Sequence, residues 1–321
     1  MASFGFRAAR LPPPREHTPG AVGCIGKWRL RPEWDATFEC VADATGTGLG
    51  GGSTDNHLQA ISRVYGPETW DVYDLLDRSL NPRGPEALLA LAAERLTPAS
   101  VVLDVGCRDA SHLIQLVQAT GASGVGIDPV GRFVERAREA VTEAGLEARI
   151  QIAQGVMQDI AWPDGSFDLV WCRDVIEVVE ALERAVAEVA RVLQPGGHVV
   201  VFTVFATDRL EPKEAALLAQ SLAVVPANLV EEQVEEAFRR AGLAVARKEV
   251  IGTEWREYAE ERTRPTSRDL LRLARLRRER DRIIQDAGEE IYGHIESNLH
   301  WLVYQFLGKL QPTIYVLRKT T

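Results

Sequence analysis

From about residue 100 onward, short apolar runs alternate with amphipathic stretches. The runs at 101–105 (VVLDV), 124–128 (GVGID), 148–153, 167–172 (FDLVWC) and 198–205 (HVVVFTVF) are short and bounded by turn formers, as strands are. Between them, 111–120, 133–144 and 182–193 repeat apolar residues at helical spacing. This alternation predicts an α/β fold with a parallel, doubly wound sheet. The nearly uninterrupted apolar runs at 167–172 and 199–205 suit strands buried on both faces.

Upstream, 57–65, 69–80 and 84–96 read as helices. Gly66-Pro67 and Asn81-Pro82 break them, while Pro85 is tolerated in a first turn. Downstream, the pattern predicts helices at 212–222 and 231–241 and a strand at 243–251. A long helical insertion over 254–310 and a last strand at 313–317 complete it. On a helix over 291–306, Ile291, Ile295, Leu299, Leu302 and Phe306 form one apolar stripe. His294, Asn298, Trp301 and Gln305 share a neighbouring face. Residues 1–54 stand apart. MASFGFRAARLPPPR carries three arginines and no acid, and TGTGLGGGS at 45–53 has linker composition. The expectation is a disordered segment or extension before a folded domain at 55–321, with N-terminal helices over 56–96 and a cap over 254–310.

Composition narrows the class. With 321 residues, 45% hydrophobic and 26% charged, there is material for one large domain or a domain with a cap. A net charge of −9 argues against a nucleic-acid partner, and no apolar run approaches a bilayer-spanning length. Cys24, Cys40, Cys107 and Cys172 are scattered without CxxC spacing, which reads as reduced thiols in a cytoplasmic protein and as no metal site. At Cys107 and Cys172 the expected role is that of small apolar fillers.

Two acids carry the first chemical signal. The run 101–105 leads through Asp104 into a turn at Gly106, and the run ending at Asp128 follows about twenty residues later. That layout suits a nucleoside-bearing cofactor across the carboxyl ends of parallel strands. Asp128 can accept both ribose hydroxyls, or Asp128-Pro129 can simply terminate a strand. A missing side chain at Gly106 would let a ligand approach the backbone. The spacing is not GxGxxG, so a nicotinamide oxidoreductase gains no direct support.

The downstream block is more specific: WPDGSFDLV at 162–170, then RVLQPGG at 191–197 entering a strand. Over about 101–205 the chain resembles the class I S-adenosylmethionine-dependent methyltransferases, in particular the small-molecule group with an FDLV…RVLxPGG pattern. The resemblance implies a Rossmann-like, mostly parallel seven-stranded sheet with a helical cap, its last strand antiparallel at the edge. It also implies S-adenosyl-L-methionine as cofactor. Asp104, Gly106 and Cys107 would shape the methionine and ribose pocket, and Asp128, with Pro129 beside it, would hold the ribose. Gly155–Gln158, Val156 and Met157 among them, would lie along the adenine with the Met157 backbone reaching its ring, and Trp171–Asp174, Arg173 among them, would flank the sulfonium. The chain departs from the pattern at three places. Arg108 and Ala110 replace glycines, Val156 replaces an acid, and Glu177-Val178-Val179 stands where EHV is common. Arg108 could pair with the cofactor's carboxylate, or point to solvent.

Methyl transfer is an in-line displacement and needs a base only if the acceptor must lose a proton. No catalytic residue is therefore read from the motifs. Acceptor-pocket candidates are Tyr65 and Trp70 from the upstream helices, and Trp255, His294 and Trp301 from the insertion. Packing of these aromatics between cap and core is the alternative. His300 and Tyr304 lie on the opposite side of the last helix. Nine arginines between Arg262 and Arg282 form either a solvated face, with Leu270, Leu271, Leu273 and Leu276 docking the helix, or a site for a phosphorylated or carboxylated acceptor. The expected function is methylation of a small molecule, with secondary metabolism as leading context. The rivals are a non-catalytic methyltransferase-fold binding or scaffold protein, and an RNA or protein methyltransferase.

Overall fold

A computed structural model of the chain describes residues 26–29, 37–40 and 52–320. Two compact units, Met1–Asp77 and Arg78–Thr321, divide it. In the first, β1 (Gly26–Arg29) and β2 (Thr37–Cys40) pair antiparallel with Gly26 opposite Cys40. Both strands fall in the stretch read as an extension; the other residues of 1–51, Cys24 among them, lie outside the described residues. α1 (Gly52–Val64) and α2 (Pro67–Leu76) follow. Pro67 opens α2, where its missing N–H leaves no helical bond unmade.

The second unit begins with α3 (Glu86–Ala93) and continues β3 (Val101–Val105), α4 (Ser111–Thr120), β4 (Ser123–Asp128), α5 (Gly131–Glu143) and β5 (Ile150–Gln154). Next come β6 (Phe167–Arg173), α6 (Leu182–Val192), β7 (Leu193–Ala206), α7 (Pro212–Leu222), α8 (Glu231–Arg240) and β8 (Leu243–Val250). Helices α9 (Glu254–Thr263), α10 (Pro265–Arg278), α11 (Arg280–Ala287) and α12 (Glu289–Phe306) precede β9 (Leu310–Lys319). The seven strands run in the order β5-β4-β3-β6-β7-β9-β8, with β3 to β7 parallel and β9 antiparallel to both neighbours. This is the Rossmann-like, mostly parallel sheet the sequence predicts.

One placement differs. The last strand lies between β7 and β8 rather than at the edge. Burial decides it: Leu310 and Ile314 through Leu317 are fully buried, whereas β8 carries Arg247, Lys248 and Glu249. A charged strand tolerates an edge, where its outer face and backbone meet water. Helices α3, α4 and α5 pack Leu88, Leu113 and Val134 with Trp171 in one core, and α6 and α8 pack Val186 and Phe238 with Tyr315 in the other.

The predicted insertion resolves into α9–α12, between β8 and β9. α10 and α12 build a small core of Leu273, Leu276, Tyr292 and Leu299. The stripe predicted for α12 is only partly the buried face. Ile291 and Ile295 are exposed, whereas Leu299 is buried together with Tyr292, Val303 and Tyr304 from outside the stripe. Apolar residues occur around much of this helix, so its contacts with α7, α10 and β9 set its rotation, which periodicity could not. Likewise Leu273 and Leu276 dock α10 while Leu270 and Leu271 stay exposed. The arginine-rich stretch is laced with ion pairs, including Arg272–Asp269, Arg277–Glu296 and Arg282–Asp286, as a solvated face would be.

Candidate active site

Four strands adjacent in the sheet, β5, β4, β3 and β6, bring their carboxyl ends together. The turn after β3 holds three residues in the left-handed region: Gly106 (φ +70°), Arg108 (+52°) and Ala110 (+58°). An L-residue there costs roughly 1–2 kcal/mol, so the turn keeps its glycine-type course although two glycines are replaced. Its amides are anchored to β4. Gly106 and Cys107 N–H donate to Ile127 O at 2.8 and 3.0 Å, and Arg108 N–H donates to Asp128 Oδ2 at 3.0 Å. Val130 N–H donates to Asp128 Oδ1 at 2.9 Å. Each oxygen of the buried Asp128 carboxylate thus accepts one amide and retains acceptor capacity for a further donor.

At Gly106 the missing side chain also makes room for Val175: a Cβ there would lie 2.6 Å from Val175 Cγ2. Cys107 and Cys172 are buried free thiols, and burial pushes both titrations up, as befits fillers. Asp104 is buried at the end of β3; desolvation first, then the Asp128 charge, push its carboxyl well above the usual range. Beyond β4, Pro129 is exposed and its carbonyl accepts Gln154 Nε2 at 2.9 Å. Past β5, Gly155 N–H donates to Asp128 O at 3.1 Å, Val156 is 42% exposed and Met157 is buried.

Beside these strand ends a cavity of about 340 Å³ opens under α9 and α12. Its lining includes Arg108, Arg173, Asp174, Glu177 and Phe202 from the sheet side, Trp255 and Arg256 from α9, and Asn298, Trp301 and Gln305 from α12. Phe202 and Trp255 stack at 4.3 Å with planes 8° apart, and the Arg173 guanidinium lies over both rings at 5.7 and 5.5 Å. Arg173 Nη1 also lies 2.6 Å from His112 Nε2. A guanidinium only donates, so Nε2 accepts and the imidazole is neutral. Burial and then Arg173 lower its pKa to about 4, in agreement.

Glu177 is buried at the cavity wall. Its Oε1 accepts Thr203 Oγ1 at 2.9 Å and Val204 N–H at 2.6 Å, and its Oε2 has no partner. Burial first, then the Asp174 charge, raise the carboxyl to about 8.

Of the aromatic candidates, Trp255 and Trp301 line this cavity. His294 does not: it is exposed, and its Nδ1–H donates to Ser221 O at 3.1 Å. Its neighbours on the predicted face, Asn298 and Gln305, do reach the lining. Tyr65 is 69% exposed within the first unit, and the Trp70 side chain lies outside the described residues. His300 is buried against Tyr304, with Nδ1–H donating to Glu296 O at 2.8 Å.

The family described as "Methyltransferase domain" matches residues 103–201, from β3 into β7. A phosphatidylethanolamine N-methyltransferase of Cereibacter sphaeroides is 33% identical over 152 residues, covering 47% of this chain and 71% of that protein. The chain belongs to the class I S-adenosylmethionine-dependent methyltransferases. The sterol 24-C-methyltransferase ERG6B of Gibberella zeae is 33% identical over 35% of this methyltransferase, but the match spans only 30% of that relative's length. In fold, the methyltransferase is similar to geranyl diphosphate methyltransferase solved in complex with SAM. The TM-score is 0.56 at 16% identity, covering 73% of this chain and 85% of that one.

The strand ends of this methyltransferase suit its cofactor. Asp128 has acceptor capacity for a diol, and the exposed Val156 offers an apolar surface beside it for a planar base. Two residues lining the cavity, Glu177 and Arg256, were not among the site residues predicted from the sequence, whereas Asp174 ends the segment expected to flank the sulfonium. Glu177 carried a signal, an acid within the apolar segment VIEVV between a strand and a helix. Arg256 carried none, because only folding brings α9 to the end of β6.

Proposed function

We propose that this methyltransferase transfers a methyl group to a small-molecule acceptor held in the cavity under α9 and α12. One observation carries the reading: the Asp128 carboxylate, anchored through both oxygens yet open to a further donor, stands at the strand ends beside a cavity of about 340 Å³. Such a volume lies at the small end of small-molecule sites. When bound, S-adenosylmethionine supplies an electrophilic methyl on a sulfonium. Asp128 would accept the ribose hydroxyls, with Pro129 beside it. Val156 and the Met157 backbone would face the adenine. Asp104, Gly106 and Cys107 would shape the methionine end, and Arg108 would meet its carboxylate. Arg173, braced by Phe202, Trp255 and His112, would fix the wall nearest the reacting methyl.

The retained left-handed turn at Arg108 and Ala110 supports a working cofactor site over a scaffold role. Ion pairing along the arginine-rich helices, with the net charge of −9, supports a small acceptor over RNA. The leading context is secondary metabolism. No helix among the described residues is long and apolar enough to cross a membrane, and the buried free thiols fit a cytoplasmic setting.

The test is calorimetric titration of S-adenosylhomocysteine into the full chain, with D128A as control. Micromolar binding that the variant loses supports the reading. A folded parent that does not bind overturns it in favour of a scaffold.

A further inference from the structure

Buried polar side-chain atoms are nearly always hydrogen-bonded. Among the described residues, three that are not belong to residues lining the same cavity: Glu177 Oε2, Trp255 Nε1 and Arg256 Nε. Glu177 is 3% exposed and Trp255 is 3% exposed, so bulk water does not explain them. The three groups differ in sense. The Glu177 oxygen accepts once the carboxyl is ionised, while the indole N–H and the guanidinium N–H donate, the latter with a positive charge. A wholly apolar acceptor would leave all three unmatched, at a cost in binding. A ligand satisfying them offers a hydrogen-bond donor on one side and an anionic acceptor on the other.

We infer that the methyl acceptor is a small hydroxy- or amino-acid-type molecule whose anionic group meets Arg256 and Trp255 Nε1 and whose methylated O–H or N–H donates to Glu177 Oε2. This rests on the cofactor reading above and specifies its acceptor. In the transfer, the acceptor's oxygen or nitrogen lone pair forms the new bond to the methyl carbon. The carbon–sulfur bond breaks with its electron pair staying on sulfur, and the O–H or N–H proton passes to Glu177 Oε2.

The surroundings fit that part. Thr203 and Val204 hold Oε1, so the free oxygen is the one left for the substrate. Arg108, Arg173 and Arg256 line the cavity with Asp174, and Gln305 lies opposite on α12. A carboxyl raised to about 8 can take up a proton and return it near neutral pH. Burial lowers the Arg256 pKa, so an anion that pairs with it is favoured.

The experiment uses the full chain saturated with S-adenosylhomocysteine. It is titrated with 4-hydroxybenzoate, salicylate, anthranilate and L-tyrosine, with the methyl ester of each, and with phenyl phosphate. At least one free acid should bind, with its ester about 10-fold weaker or worse. R256Q should weaken the acid by about 10- to 100-fold, and R256K should recover part of the loss. Phenyl phosphate binding in place of the carboxylates would keep the anion requirement and name phosphate as its source. E177Q, confirmed folded by circular dichroism, should keep acid binding while losing about 100-fold or more in labelled methyl transfer. Three results would overturn the inference: esters binding as well as acids, R256Q without effect, or no anion binding at all. Failure of S-adenosylhomocysteine itself to bind would instead strike the cofactor reading.

Discussion

The backbone N–H of Arg108 donates to Asp128 Oδ2 at 3.0 Å, tying the turn after β3 to the acid that ends β4. The contact lets one carboxylate order a strained loop while keeping acceptor capacity for a ligand.

Removing that carboxylate should therefore do two things. D128A should lose S-adenosylhomocysteine binding and also unfold more easily, by about 1–3 kcal/mol, because Arg108 and Val130 lose their acceptor. Calorimetry reads the first effect and thermal melts the second. Unchanged affinity in D128A would remove Asp128 from the site.

The turn itself predicts an asymmetry at Arg108, whose φ is +52°. R108G should stay within about 1 kcal/mol of the parent or exceed it, because glycine adopts this conformation without penalty. R108V should lose about 1–2 kcal/mol, since a β-branched residue is least at home there. Urea denaturation of the pair checks this, and equal stability would contradict the strain.

Glu177 links stability to pH. Its carboxyl titrates at about 8 in the fold and near the ordinary carboxyl value of about 4.3 when unfolded. Between those values the folded state holds the extra proton, so the Glu177 contribution falls as pH rises from about 4.5 to 8 and then levels off. Asp104, also raised, adds a slope of the same sign. E177Q should flatten the dependence of melting temperature across this window without abolishing it. An identical slope in parent and variant would show that Glu177 does not titrate there.

Trp255 closes the wall of the cavity. W255A should cost about 3–5 kcal/mol through the lost stack on Phe202 and the void left behind. W255F should cost less than half of that. It keeps a ring against Phe202 and removes the unpartnered indole N–H. Thermal melts of both variants decide it, and equal losses would mean the stack contributes little.

What the sequence by itself determined lies along single elements and their ends. Periodicity located β3, α4 and α7 to the residue, because each has one buried face or none exposed and a clear turn at its limits. The acids Asp104 and Asp128 and the turn between them were legible for the same reason: strand ends of a doubly wound sheet are local features with a fixed place in the fold. Tertiary structure decided what depends on elements distant in sequence. It put β9 inside the sheet, because full burial of Ile314 through Leu317 outweighs chain order. It turned α12 so that Tyr292 and Val303 face inward and His294 outward, because this helix has apolar residues on several sides and its partners choose among them. It also brought Arg256 and Trp255 over Glu177, which lies some eighty positions earlier in the chain. An amphipathic pattern records that a side is buried; only packing records against what, and which polar atoms are left facing the space between.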